Sequence, residues 1–384
     1  MRKHHFLLSL ATVGFLTTAG SNVVAQPMAP RAIRIGDTLY VSAAGSLDPK
    51  TGKHPEGIEA ATRQILQNLK SSLDEHGFTF AEVASSEVWI TDMKKFADMN
   101  KVYREAFTGD FPTRTTVEVS ALPHGSEVQI AMVAVKGERR IIHPKGAKSM
   151  NLPFSPGILV GDKLFISGQA SVDPQTAKLI EGGDIKAHVT QTMKNVEAIL
   201  QAADMDFSSV LHASVFLTNP DDFGPMTAVY TSFVKQPRPA RVPLGATKLP
   251  LNSPVEITML ASRHKGKPIL PPGMDPSENY SRGFLANNEL YLAGIGSVKE
   301  SIQERVDDCM GRVKQIVEAS GMSLENLATA RIYLSDIKDF EAVNAAYLKY
   351  FTTGKPPAQA TMAVAKLPAN LKIMTTFVAI KDKK

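Results

Sequence analysis

In the stretch "PVEITML", Val255, Ile257 and Met259 alternate with Glu256 and Thr258. That period of two is a strand's, and it turns the Glu256 carboxylate away from the apolar row. In "ATRQILQNLKSSLDEHG", Ile65, Leu69 and Leu73 recur at helical spacing until Gly77, which predicts an amphipathic helix with a glycine stop. The two periods return in one fixed order. "RIGDTLYVSAAGSLDPKTGK", "LVGDKLFISGQASVDPQTAK" and "LANNELYLAGIGSVKES" are one strand-turn-strand text written three times. Each is followed by a long helix, the strand "VASSEVWITDM", "VLHASVFLTNP" or "LATARIYLSDI", a shorter helix, and two strands around a Leu-Pro corner.

The repeat is roughly 120 residues long, far more than a solenoid unit, so each copy is expected to be a domain with its own core. Helices over one face of a mixed sheet give an α+β class. The expected boundaries are 27–137, 152–264 and 277–382. "KGERRIIHPKGAKSMN" and "HKGKPILPPGMDPSEN" read as connectors, rich in Lys, Gly and Pro.

A chain of 384 residues, 43% hydrophobic and 21% charged, is ordinary globular material of about two or three domains. Two units of its formal +5 charge come from Arg2 and Lys3. The remainder is too mild and scattered to argue for nucleic acid. The N-terminus has a basic tip, an apolar run from Phe6 to Leu16, and Val23 and Ala25 before a cleavage point. This predicts a signal peptide over 1–25 and a periplasmic or secreted protein. The alternative, an uncleaved anchor, is disfavoured because the run is shorter than the roughly 20 residues a span needs. No later stretch is long and apolar enough to cross a membrane, so no membrane partner is expected after cleavage. Cys309 is the only cysteine, which excludes an internal disulfide and predicts a small buried residue. The histidines show no HExxH spacing, so neither a metal nor a cofactor is expected.

The motifs "VSAAGSLDPKTG", "ISGQASVDP", "FADMNKVY", "FEAVNAAY" and "PTRTTVEVSALPHG" make all three copies resemble the RidA (YjgF) reactive-intermediate deaminase family. The resemblance covers nearly the whole chain after the signal segment. It implies three chorismate-mutase-like domains packed as an intrachain pseudo-trimer, a monomer with a cleft between each pair of neighbours. It also implies hydrolysis of enamines and imines of 2-keto acids. An arginine holds the substrate carboxylate, and a glutamate in the last strand handles water.

The copies match that pattern unequally. Copy 1 has Arg114, Ser42 and Asn100, but Gln129 at the glutamate position and Ala29 at the early tyrosine. Copy 2 has Arg241, Glu256, Ser167, Gly168 and Gln169, with Phe154 for the tyrosine, Thr227 for the asparagine and Pro243 after the arginine. Copy 3 keeps Tyr280, Ser281 and Asn344, and has Gln359 and Met374 in place of both charges. Taken alone, Arg241 reads as a surface arginine and Glu256 as a solvated strand residue. Their joint presence in copy 2 singles that copy out as the expected main site. The resemblance implies catalytic roles for Arg241 and Glu256, and substrate binding by Ser167, Gly168, Arg114 and Tyr280.

A planar guanidinium suits a small carboxylate substrate, because it donates two parallel hydrogen bonds. A glutamate in a partly desolvated cleft suits proton transfer to and from water. The competing reading is a non-catalytic carboxylate-binding or scaffold protein, favoured by loss of the charge pair from two copies. Endoribonuclease activity is disfavoured by the mild charge and the absence of an aromatic-basic surface.

Overall fold

The computed structural model describes residues 30–381. The expected signal segment and Ala29 lie outside them. The first domain runs β1 (Ala32–Ile35), β2 (Thr38–Ala44), α1 (Ile58–Glu75), β3 (Val83–Ile90), α2 (Phe96–Glu105), β4 (Thr113–Glu118) and β5 (Val128–Val135). Its sheet order is β1-β2-β5-β3-β4, with β3 and β4 parallel and the other pairs antiparallel. The mixed sheet and the helix order are those the hydrophobic periods predict.

The second domain follows the same plan. It comprises β6 (Arg139–Ile142), β7 (Gly157–Val160), β8 (Lys163–Gln169), β9 (Val172–Asp173), β10 (Lys178–Leu179), α3 (Ile185–Ala202), β11 (Val210–Leu217), α4 (Phe223–Phe233), β12 (Ala240–Gly245) and β13 (Val255–Ser262). The third comprises β14 (Lys267–Ile269), β15 (Gly283–Ala286), β16 (Glu289–Leu292), β17 (Ile295–Ser297), α5 (Ile302–Ala319), β18 (Leu327–Leu334), α6 (Phe340–Leu348), β19 (Ala358–Ala363) and β20 (Ile373–Ile380).

The connectors are more than connectors. β6 pairs antiparallel with β7, and β14 with β15, so each connector extends the edge of the sheet that follows it. An open edge presents unpaired N–H and C=O groups, and the passing chain satisfies them.

One face of every sheet is closed by its own helices. Val255, Ile257 and Met259 pack with Val189, Met193 and Val196 of α3 in the second domain's core. Asp184 caps α3 by accepting the Ala187 N–H, and Ser301 and Glu304 form a capping box on α5.

The opposite faces also carry apolar patches, and the domains close them for one another. Trp89 and Val117, Phe216 and Leu244, and Tyr333 and Met362 join from the three domains in one shared core. Each pair of domains adds its own cluster: Ala84 with Ile158 and Phe165, Leu211 with Phe284 and Tyr291, and Tyr40 with Ala328 and Ala358. Short main-chain bridges tie the domains near that core, at Glu118–Lys248, Ala121–Ala363 and Gly245–Lys366. Among the described residues, no helix is long and apolar enough to cross a membrane.

Leu244 is fully buried in the shared core, so Leu244→Ala should cost about 2–5 kcal/mol. Trp89, the chain's one tryptophan, lies in a different domain but in the same core. Its fluorescence should therefore report an earlier denaturant midpoint in the variant. A Trp89 transition that does not move would mean that the domains unfold as independent beads.

Candidate functional site

The domains dock head to tail. The edge strand β4 lies along β8, β12 lies against β16, and β19 lies along β2. A contact at the same place recurs at each junction, with donor and acceptor exchanged at one of them. The Arg114 N–H donates to Ser167 Oγ (2.8 Å), the Gln359 N–H donates to Ser42 Oγ (2.9 Å), and the Gly294 N–H donates to the Arg241 carbonyl (3.1 Å). The residue at the arginine position of one domain therefore meets the small-residue strand end of the next domain.

This geometry corrects the pairing expected from sequence. Arg241 is on β12 and Glu256 on β13, with β11 between them. Arg241 is opposite Ala213 and Glu256 opposite Phe216. Two strand spacings and three residues of rise separate them by roughly 14 Å at the backbone. Copy 2 does contain both charges, but they belong to different clefts. Arg241 faces the third domain. Glu256 faces the first domain, where it meets Arg114.

Arg114 is 4% exposed and its surroundings fix its direction. Its Nη1 donates to Asn100 Oδ1 at 2.7 Å, and the rings of Tyr103, Phe96 and Phe154 lie 5.0, 5.5 and 5.8 Å from the guanidinium carbon. Asn100 and Tyr103 stand three residues apart on one face of α2, with Tyr103 tied to Ser86. Phe154 comes from the second domain. Burial lowers the Arg114 pKa to about 10, and the neighbouring Tyr103 and Glu256 oppose the shift. The group stays cationic at neutral pH.

Glu256 is also 4% exposed. Burial pushes its carboxyl up to about 8, against the main chain at Thr116 and the charge of Arg114. The carboxyl lies directly over Gly168, where a Cβ would come within 1.9 Å of Oε1. Gly168 is therefore the residue that makes room for it. Among the ion pairs of the described residues there is none between Arg114 and Glu256. The two groups come from neighbouring domains to one junction, close enough for each charge to act on the other.

The other junctions hold different chemistry. Arg241 donates through Nη2 to Thr227 Oγ1 at 3.2 Å and packs over Tyr230, while its Nε and Nη1 are buried with no partner. Across from it Met374 lies over Gly294, so this cleft has an arginine without a carboxylate. Tyr280 belongs here, where it lowers the cost of the Arg241 charge and accepts a hydrogen bond from Arg282. It does not reach the Arg114 cleft. At the third junction Gln359 donates to Asn344, and Gln129 stands at the glutamate position near Gly45. That cleft has neither charge. Pro243 lies on β12, the outermost strand of its sheet, where a missing N–H breaks no ladder bond.

Of the residues singled out from sequence, the first cleft gathers Arg114, Glu256, Ser167 and Gly168, and excludes Arg241 and Tyr280. Sequence reasoning matched Asn100 and placed Phe154 at the early tyrosine position of copy 2 without assigning it to this arginine, and it missed Tyr103. The spacing of Asn100 and Tyr103 in "NKVY" was a usable signal for two of these. No local pattern places Phe154 beside Arg114 of the other domain. Among the described residues, no group of three or more His, Cys, Asp or Glu side chains is arranged to hold a metal.

Comparison with known proteins agrees with three copies. The family model described as Endoribonuclease L-PSP matches residues 22–136, 147–263 and 272–381. A RutC family protein of Sulfurisphaera tokodaii is 42% identical over 115 residues, covering 29% of this chain and 92% of that protein. A 2-iminobutanoate/2-iminopropanoate deaminase of Mus musculus is 36% identical over 108 residues, covering 28% of this chain and 80% of that protein. The crystal structure of RidA from Psychrobacter sp. PAMC 21119 is 32% identical and covers 32% of this chain and 98% of its own, with a TM-score of 0.31.

The buried carboxyl has a consequence for stability. Folded Glu256 keeps its proton up to about pH 8, whereas the unfolded chain releases it from about 4.5. Between those values the unfolded state binds fewer protons, so stability falls as pH rises. Glu256→Gln removes this contribution. Its thermal midpoint should gain on the wild type across that window. A midpoint difference independent of pH would show that Glu256 ionises normally in the folded chain.

Proposed function

The chain belongs to the RidA family, the one whose model is described as Endoribonuclease L-PSP, and on that premise we propose that it is a hydrolytic deaminase of imines and enamines of short 2-keto acids. The proposed site is the cleft between the first and second domains. The observation that carries this reading is the burial there of Arg114 and Glu256, brought from two domains, with no ion pair between them. The named activity of the mouse relative supports it.

In this reading Arg114 binds the substrate carboxylate through paired N–H donors. Asn100 and the three rings hold the guanidinium in one orientation, which reduces the ordering cost of binding. The imine carbon and nitrogen then lie toward Glu256. The Glu256 carboxyl, protonated at neutral pH, gives its proton to the imine nitrogen. The resulting carboxylate takes a proton from the water that attacks the imine carbon, forming a carbinolamine. It returns that proton to the amino nitrogen, the C–N bond breaks, and the hydroxyl loses its proton as the carbonyl forms. One water is consumed, and a keto acid and ammonia leave. A glutamine in place of Glu256 orients water but transfers no proton.

The reading treats the chain as a monomer, because its own three domains supply both walls of every cleft, and as periplasmic or secreted on the basic tip and apolar run of its N-terminus. A second reading, a carboxylate-binding scaffold without turnover, is favoured by the two junctions that lack the pair. Endoribonuclease activity is disfavoured, since the chain's mild charge offers little to a nucleic-acid backbone.

The test is release of keto acid from imino acids generated in place by an amino-acid oxidase. Arg114→Ala and Glu256→Gln should each lose about 10²-fold or more in kcat/KM, and Arg241→Ala should retain turnover. The wild-type kcat/KM should decline above about pH 8, as Glu256 gives up its proton in the free enzyme. Wild-type turnover no faster than buffer would leave the scaffold reading. Loss of activity in Arg241→Ala alone would move the site to the other cleft.

A further inference from the structure

The three central strands β3, β11 and β18 turn the same two positions, their third and fifth, toward one cavity of ≈ 140 Å³ where the three sheets meet. The third positions are Ser85, His212 and Thr329, and the fifth are Glu87, Ser214 and Arg331. One end is closed by the seventh residues, Trp89, Phe216 and Tyr333, in the shared core. Identical strands would put identical side chains in each layer. Here the layers are polar and all their members differ. None of these residues belongs to the Arg114–Glu256 cleft.

Arg331 is 9% exposed. Its Nε donates to Glu87 Oε2 at 2.6 Å and its Nη1 to the Ala330 carbonyl, which leaves Nη2 for the cavity. The hydroxyls of Ser85, Ser214 and Thr329 and both ring nitrogens of His212 have no hydrogen-bond partner among the described residues. Ser85, Glu87, His212 and Ser214 are only partly buried, so these groups face an accessible cavity whose unused donors and acceptors suit a polar occupant.

The cavity also has an approach. A wider vestibule of ≈ 350 Å³ lies beyond it, lined by Lys136, Asp162, His264 and Glu289 among others. Lys163 lines both spaces and pairs with Glu289. The Tyr291 hydroxyl donates to the same carboxylate at 2.5 Å from the inner side. This ion pair stands between the two spaces.

We propose that the axial cavity is a binding site for a small oxyanion, a short-chain carboxylate or an inorganic oxyanion, admitted from the vestibule past the Lys163–Glu289 pair. Arg331 Nη2, the His212 ring N–H and the three hydroxyls supply donors from all three domains. The size fits, since a cavity of about 150 Å³ takes a molecule of benzene's size, and sulfate and acetate are smaller. Glu87 already balances Arg331, so an entering anion adds a charge that a second proton would offset. His212 supplies it. Burial first, and then Arg331, hold its pKa down to about 4. The charged and titratable groups around it are Arg331, Glu87, Lys163, Tyr40, Tyr291 and Tyr333. An anion reverses the balance, so binding should tighten as pH falls.

The experiment is calorimetric titration with sulfate, and separately with acetate, of the full chain carrying Arg114→Ala and Arg241→Ala to remove the cleft arginines. One site per chain is expected. Adding the charge-neutral pair Glu87→Gln and Arg331→Gln should weaken it about tenfold or more. Sulfate affinity should rise from about pH 8 to about pH 6, and His212→Asn should flatten that rise. Ser214→Leu, which fills the cavity with apolar volume, should abolish binding and serves if the double substitution fails to fold. Whichever anion binds more tightly identifies the inorganic or the organic source. No binding of either anion, or binding untouched by Ser214→Leu, would overturn the proposal.

Discussion

Each sheet has apolar surface on both faces and helices over only one of them. The second face must be covered by neighbouring domains, and the rest of the structure depends on that constraint. Covering it brings Trp89, Phe216 and Tyr333 into one core and seats the edge strand of each domain on the next. At roughly 25 cal/mol per Å² of apolar surface, this burial is the dominant favourable term. The polar groups that it encloses must therefore accept a desolvated setting.

The candidate site is built from that setting. The junction that hides the apolar faces also removes Arg114 and Glu256 from water. Burial lowers the basicity of one and raises the pKa of the other. Both shifts come from one cause and both are compatible with chemistry at neutral pH, because the arginine stays charged and the carboxyl stays protonated. Gly168 leaves the carboxyl its place, and the Asn100 and Tyr103 face of α2 leaves the guanidinium its orientation.

Three equivalent junctions in one covalent chain need not stay equivalent. In a symmetric trimer one substitution appears at all three clefts at once. In a fused chain each cleft draws its arginine position from one copy and its glutamate position from the next, so each changes by itself. The outcome is three kinds of junction: Arg114 with Glu256, Arg241 with Met374, and Gln359 with Gln129. The same freedom acts on the axis, where Glu87, Ser214 and Arg331 occupy one layer. No threefold-symmetric protein can place an acid, a hydroxyl and a base in that way.

The sequence by itself determined the three copies, their α+β element order, the helix stops and the identity of every charge at the cleft positions. These are local properties, carried by periods of two and of 3.6 and by turn residues. It also marked Arg114, Glu256, Ser167 and Gly168 as site residues. Only the tertiary structure decided which of them meet. Arg241 and Glu256 share a copy, yet a strand lies between them, whereas Arg114 and Glu256 are far apart in sequence and share a cleft. The order in which domains dock is fixed by the burial of whole sheet faces, and no short window of sequence contains it. The same holds for the strands that the connectors add at β6 and β14, for Phe154 beside Arg114, and for the axial cavity. Each is a meeting of distant segments, chosen by packing and by the need to satisfy exposed backbone.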